Sequence, residues 1–303
     1  MKRFCLPLIL LLFCSVVACS PPYPPLPSET ATWSTGRDPS LYFDDVLVIS
    51  LCKAIQRQDL AAVVELVEAG ADCKAVGKRG VTPLVWCLPV DNDVFEYLLR
   101  SGADPNVITD PGFAGAAFRK DSCVTFIAAL RYDAETFGLL LDCGGDPNVR
   151  DPYLGSIPLQ YATGLNTVDA ITKVRLLLAK GADPNSMFRG KPALSNTIDS
   201  GLIDISLLLL QAGADPTVYG RENLLPAHYA AERMSREEPD AMKTLRLKIL
   251  ISELKKRGAW LGNPEAEIQK YRELQETSPE DAIAYTRDLR DSLERQSKNS
   301  DAK

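Results

Sequence analysis

One short phrase recurs along the chain, and its spacing limits what the chain can fold into. Ser101–Val107 reads SGADPNV, with variants at Ala69–Val76 (AGADCKAV), Cys143–Val149 (CGGDPNV), Lys180–Ser186 (KGADPNS) and Ala212–Val218 (AGADPTV), and a worn copy, RGAW, at Arg257–Trp260. The glycines that open these phrases are Gly70, Gly102, Gly144, Gly181, Gly213 and Gly258, separated by 32, 42, 37, 32 and 45 residues. A period of about 33 residues with insertions marks stacked helical units. Each glycine follows an apolar run, such as Phe95–Leu99 or Leu207–Leu210. There it supplies the left-handed residue that stops a helix, and the Asp-Pro-Asn after it turns the chain. No single unit of this size can bury both faces of its helices, so a core exists only where neighbours stack.

A second signature stands upstream of the glycines: Thr82-Pro83-Leu84, then Ile157-Pro158-Leu159-Gln160-Tyr161-Ala162, and most completely Leu225-Pro226-Ala227-His228-Tyr229-Ala230-Ala231. Together the two signatures resemble the ankyrin repeat, whose pattern opens with Thr-Pro-Leu-His-x-Ala and closes with Gly-Ala-Asp. The resemblance covers Asp45–Gly262 and implies an all-α solenoid of about six stacked helix pairs joined by hairpin fingers. Its histidine position holds Cys52, Val85, Phe126, Gln160 and Ser195, and keeps the family residue only at His228. In the family that histidine is a structural hydrogen-bonder at the base of a finger.

The first pair is expected at Leu47–Gln56 and Leu60–Ala69, and the second at Thr82–Pro89 and Val94–Arg100. Units three to six follow at Cys123–Asp146, Ile157–Asp183, Pro192–Asp215 and Leu225–Gly262. From a seam glycine to the next helix start the family pattern needs 12 residues, and Gly70 to Thr82 and Gly213 to Leu225 have that number. Gly102 to Cys123 has 21, so nine extra residues enlarge the finger Ile108–Ser122. That finger carries Phe113 and Phe118 beside Arg119 and Lys120, a composition that suits an apolar anchor ringed by polar groups. The two rings either hold a partner or fold back as a plug on units two and three. Further aromatic residues expected on the concave face are Trp86, Tyr153, Tyr161 and Tyr229. Smaller insertions at Leu165–Ala170 and Met234–Met242 read as plain loops. Residues 263–303 form a charged helical tail, with Ser278 as cap and Pro279 in the first turn of a helix.

At the other end, Lys2 and Arg3 precede the apolar run Leu6–Ala18, the pattern of a secretory signal over residues 1–18. The run spans roughly 20 Å, short of the ~30 Å hydrocarbon core of a bilayer. Val16-Val17-Ala18-Cys19 resembles a bacterial lipobox, which makes Cys19 the acylated first residue of the mature chain. In that family Ser20 after the cysteine directs the protein to the outer membrane, facing the periplasm. The alternative is an ordinary signal peptide with an incidental cysteine. Residues 19–44, with PPYPPLP at Pro21–Pro27, read as a solvated tether.

Without Lys2 and Arg3 the net charge moves from −6 to −8, which argues against nucleic acid as a partner. Beyond Cys19 the cysteines are Cys52, Cys73, Cys87, Cys123 and Cys143. They read as small buried residues, with a Cys123–Cys143 disulfide as the alternative in an oxidising compartment. There is no metal-ligand spacing and no cofactor motif, and His228 lacks a placed catalytic partner, so no enzyme is expected. The resemblance implies a protein-binding role. A lipid-tethered ankyrin domain in the periplasm resembles the immunity lipoproteins that bacteria pair with secreted antibacterial toxins, including lipases delivered by type VI secretion. The other readings are an accessory that stabilises an enzyme such as a catalase, and an enzyme or small-molecule receptor with a deep polar pocket. If Cys19 carries the lipid, Cys19→Ser moves the chain from the membrane to the soluble fraction; equal retention of both forms would contradict the lipobox.

Overall fold

In the computed structural model the described residues are 37–88, 92–109, 123–152, 155–164, 167, 169–220, 224–236, 241–259, 263–278, 280–282, 284–285 and 287–288. Among them the chain forms an all-α solenoid of six helix pairs. These are α1 (Val46–Gln56) with α2 (Leu60–Glu68), α3 (Pro83–Trp86) with α4 (Asn92–Arg100), and α5 (Val124–Arg131) with α6 (Ala134–Asp142). The second half continues with α7 (Pro158–Ala162) and α8 (Ala170–Ala179), α9 (Ala193–Asp199) and α10 (Ile203–Gln211), and α11 (Pro226–Arg236) and α12 (Ala241–Lys256). Odd-numbered helices form an inner row, with α1 on α3, α5 on α7 and α9 on α11; the even-numbered helices run in contact from α2 through to α12 as an outer row.

The six seam glycines all have positive φ, from 69° at Gly258 to 102° at Gly144. In each unit the residue after the glycine donates its N–H back to a leucine carbonyl: Ala71 to Leu66, Ala103 to Leu98, Gly145 to Leu140, Ala182 to Leu177, Ala214 to Leu209 and Ala259 to Leu254, at 2.9–3.0 Å. This helix-ending bond requires the left-handed residue that glycine supplies without a Cβ clash. Five of these leucines, all but Leu66, are fully buried. Each buried leucine stabilises the stack by roughly 1.5–3 kcal/mol.

The aspartate that follows closes the turn on itself. Asp72, Asp104, Asp146, Asp183 and Asp215 each accept from the N–H two residues on, at 2.8–2.9 Å. Asn106 then reaches into the next unit, donating from Nδ2 to the Gly144 carbonyl and accepting from the Asp146 N–H, both at 2.8 Å. Asn148 does the same to Gly181 and Asp183, also at 2.8 Å. Asn185 accepts from the Asp215 N–H at 2.7 Å. Lys74 and Thr217 stand where the first and fifth units would carry this amide, so the staple joins units two to five.

Three features differ from the sequence expectation. The packed body begins inside the segment read as a tether: Asp38 caps a 3-10 turn at Pro39–Leu41, Phe43 is buried, and Tyr42 and Phe43 cover the Trp86 ring at 5.6 and 6.3 Å. The insertion near Met234–Met242 is not simply a loop, because α11 has 11 residues against 7 in α9, and α12 has 16 against 9 in α10. The expected helical tail begins earlier than Ser278, with α13 (Pro264–Thr277), which has Asn263 as its cap and Pro264 in its first turn. It packs on α11 and so occupies the next inner position without an intervening finger. The expected start is also present, since Ala282 bonds back to the Ser278 carbonyl at 3.1 Å and residues 280–282 are helical.

One core position is out of character. Lys173 on α8 is fully buried, with Nζ 3.2 Å from the Ala129 carbonyl and 6.0 Å from the Phe137 ring centre. Burial pulls its ammonium from 10.5 down to about 8, while Asp169 and Asp133 pull the other way. Between pH 8 and 10.5 the unfolded chain therefore holds a proton that the folded one has lost, and stability rises with pH across that window. Lys173→Met is expected to raise stability at neutral pH by about 1–3 kcal/mol and to flatten that rise, both read from urea melts as a function of pH. Asn148→Ala removes the staple between units three and four and is expected to cost about 1–2 kcal/mol in the same measurement.

Candidate protein-binding surface

The fingers that join successive pairs run from each seam to the next inner helix, and two of them end in Arg-Gly. Arg79 has φ 64° and Gly80 φ 71°; Arg189 has φ 51° and Gly190 φ 79°. The second pair is the turn of the hairpin β1 (Met187–Phe188) and β2 (Lys191–Pro192), in which Met187 pairs with Pro192 and Phe188 with Lys191. Two successive left-handed residues are what a two-residue hairpin turn demands. Gly80 is held by its neighbour as well as by its turn. A Cβ there would stand 2.1 Å from the Ile108 carbonyl oxygen of the next finger, and Thr109 donates to the Gly80 carbonyl at 3.0 Å.

The fingers carry exposed cations on a chain that is acidic as a whole. Arg79, Arg150 and Arg189 are exposed on the first, third and fourth fingers, and Val76 and Met187 are 59% and 37% exposed. The Arg189 guanidinium lies 5.2 Å from the centre of the half-buried Phe188 ring. The Arg-Gly pairs were visible in the sequence, nine residues after Gly70 and eight after Gly181, but only the hairpin geometry identifies them as tips.

The inner helices behind the fingers are more closed than the sequence suggested. Trp86 is fully buried beneath Tyr42 and Phe43, and Tyr229 is 4% exposed with the Lys191 ammonium 3.9 Å from its ring centre. Neither is offered to a partner, because each ring is covered by side chains from elsewhere in the chain. Tyr161 is half-buried, stacked at 5.1 Å on Phe126, with its hydroxyl donating to Asp151 Oδ2 at 2.6 Å. It is the one concave-face aromatic of the sequence analysis found partly open. Cys19, Phe113, Phe118, Arg119, Lys120 and Tyr153 lie outside the described residues.

The degenerate histidine position still does a local task in two units. Gln160 Oε1 accepts the Ile157 N–H at 2.7 Å, and its Nε2 donates to Ser186 Oγ at 2.5 Å. His228 Nδ1 accepts the Leu225 N–H at 3.0 Å, while Nε2 faces Glu267 Oε2 of α13 at 3.2 Å. With both ring nitrogens committed and only 3% exposure, His228 has no lone pair left for a general base. The alternative of a Cys123–Cys143 disulfide is not realised, and both are free thiols. Cys123 is buried at the cap of α5, where desolvation pushes its thiol up to about 12. Cys143 is half-exposed at the end of α6. Burial also raises the thiols of Cys52 and Cys73. Among the described residues no group of His, Cys, Asp and Glu converges as metal ligands would.

On the outer side a cleft of about 610 Å³ opens between the starts of α8 and α10, lined among others by Asp169, Ile171, Asp204, Arg233, Lys243 and Arg246. Arg233 donates to the Asp199 carbonyl at 2.8 Å, and Arg246 pairs with Asp204 at 2.6 Å.

Comparison with known proteins agrees with this geometry. Residues 125–219 match a model of ankyrin repeats in three copies, and residues 79–110 match a model of the single ankyrin repeat. Among solved structures the chain is similar to the ankyrin repeat domain of Bcl-3, described as a unique member of the IkappaB protein family. The TM-score is 0.51 at 22% identity, over 67% of this chain and 85% of that one. No curated protein matches the chain by sequence. The fold is that of ankyrin repeats, a scaffold associated with protein–protein interaction.

Proposed function

We propose that this ankyrin-repeat chain is a non-enzymatic, lipid-anchored binding protein of the periplasm that captures and neutralises a protein partner, an antibacterial toxin in the first instance. The observation that carries the binding reading is the exposure of Arg79, Arg150 and Arg189 on the first, third and fourth fingers of a chain of net charge −6. These guanidinium groups are local positive charges beside the seam aspartates, and charge complementarity of this kind steers and selects a partner with matching acidic groups. Val76, Met187 and Phe188 supply apolar area beside those charges, the mixture found at binding anchors. The resemblance of residues 1–20 to a lipoprotein signal supports the address, and a tethered periplasmic binder suits neutralisation of a toxin delivered to that compartment.

The test is protection. A secreted toxin encoded beside this chain is directed to the periplasm of a sensitive strain, with and without the chain. Restored colony counts together with co-purification of the two proteins are expected; undiminished killing at equal expression would overturn the reading. Arg150→Glu with Arg189→Glu is expected to weaken capture roughly tenfold, about 1.4 kcal/mol, with the melting temperature unchanged because both side chains are exposed.

A further inference from the structure

The lengthened last helix pair carries a surface that the binding role does not use. α12 is apolar on two sides. Leu247, Leu250 and Leu254 are fully buried in the core, whereas Met242, Leu245 and Ile249 are 58%, 52% and 45% exposed. At about 100° per residue, the exposed three fall within about 60° of one another and about 140° from the buried three. They form a short stripe along two turns of helix. Counted back from their seam glycines, α12 begins seven residues before the position at which α10 begins, so Met242 and Leu245 lie on the added turns. The stripe is therefore a product of the insertion and not of the repeat pattern.

Charge distinguishes this stripe from incidental exposure. α12 carries Lys243, Arg246, Lys248, Lys255 and Lys256 against the single acid Glu253, a helix of net +4 on a chain of net −6. Arg246 and Lys248 flank the stripe on its two sides, and Lys256 continues it at the C-terminal end. Arg246 and Lys256 are paired with Asp204 and Glu253 at 2.6 and 2.7 Å, yet both keep about half or more of their side chains exposed. Arg246, which lines the cleft described above, borders the same face.

We propose that this face of α12 seats on an anionic lipid surface, with Met242, Leu245 and Ile249 entering the headgroup boundary and the flanking cations meeting lipid phosphates. An exposed apolar stripe between long cationic side chains is the composition of helices that lie in a membrane interface. The lysine and arginine stems add apolar length while their heads stay in water. No helix among the described residues is long and apolar enough to cross a membrane. The contact would lie on the outer row of helices and leave the fingers uncovered. It does not depend on acylation of Cys19 or on the identity of any protein partner.

The test uses the full chain carrying Cys19→Ser, which removes the acylation site, in co-flotation with vesicles. One set is phosphatidylcholine alone and the other equal parts of phosphatidylcholine and phosphatidylglycerol. Binding to the anionic set that weakens with added salt is expected, and little to the neutral set. In this background Met242→Ser/Leu245→Ser/Ile249→Ser and, separately, Lys248→Glu/Lys256→Glu should each lower anionic partitioning by roughly fivefold or more. Unchanged thermal melts would verify that both variants fold. Leu245→Trp gives a local readout, with a blue-shifted emission quenched by brominated lipid on vesicle addition. Equal binding to the two vesicle sets, or partitioning unaltered in both variants, would overturn the proposal. Loss of capture of a protein partner in the serine variant, with vesicle binding intact, would assign the face to that partner instead.

Discussion

An asparagine amide that bonds the backbone of the following unit holds the middle of this solenoid in register. Asn106 and Asn148 each grip a glycine carbonyl and an aspartate N–H of the next seam, and Asn185 takes the corresponding N–H of the fifth. The grip works only because the left-handed glycine presents that carbonyl and the aspartate ring positions that N–H. Local turn chemistry thus becomes long-range geometry. Thr125 strengthens it, donating to Asn106 Oδ1 at 2.9 Å and tying the staple to α5, the first helix of the third unit.

Where the staple lapses, other contacts take over. At the first interface the Lys74 stem lies across Gly102, so close that a Cβ there would stand 2.9 Å from its Cε. Cys73 Sγ, one residue earlier, approaches the Ser101 carbonyl at 3.2 Å. At the C-terminal end α13 closes the inner row, with His228 facing Glu267 and Arg272 pairing with Glu232. In a solenoid stability is a sum of unit and neighbour terms, so each end needs a closure of its own. Tyr42 and Phe43 supply one over Trp86, and α13 supplies the other.

The two rows of helices support different surfaces for the same geometric reason. Inner helices are short, 4 to 8 residues in α3, α5, α7 and α9, and lie buried behind the fingers; the tips beyond them hold the accessible chemistry. Outer helices expose one side to water, where pairs such as Lys180 with Asp142 and Arg100 with Glu96 contribute solubility more than stability. Among the described residues α12 departs from that rule with an apolar outer stripe. It does so on turns that extend past the start of its neighbour α10.

The seam could be read without a structure because it rests on local backbone sterics. A glycine after an apolar run, followed by aspartate, encodes a left-handed helix stop and a tight turn through atoms only a few residues apart. That logic located six units, their helices and the cap at Ser278. The tail beyond Gly262 was legible as helical, and Asn263-Pro264 is the start signal that opens it as α13. Burial is another matter, since it is set by side chains far away in sequence. Trp86 and Tyr229 look like binding aromatics until Tyr42, Phe43 and Lys191 are seen to cover them. Cys123 and Cys143 sit at neighbouring helix ends as free thiols, one buried at the cap of α5 and the other half-exposed at the end of α6. The exposure of Arg79, Arg150 and Arg189 is likewise a tertiary fact: residues 71 and 39 positions apart in the chain are carried on the fingers of units that stack.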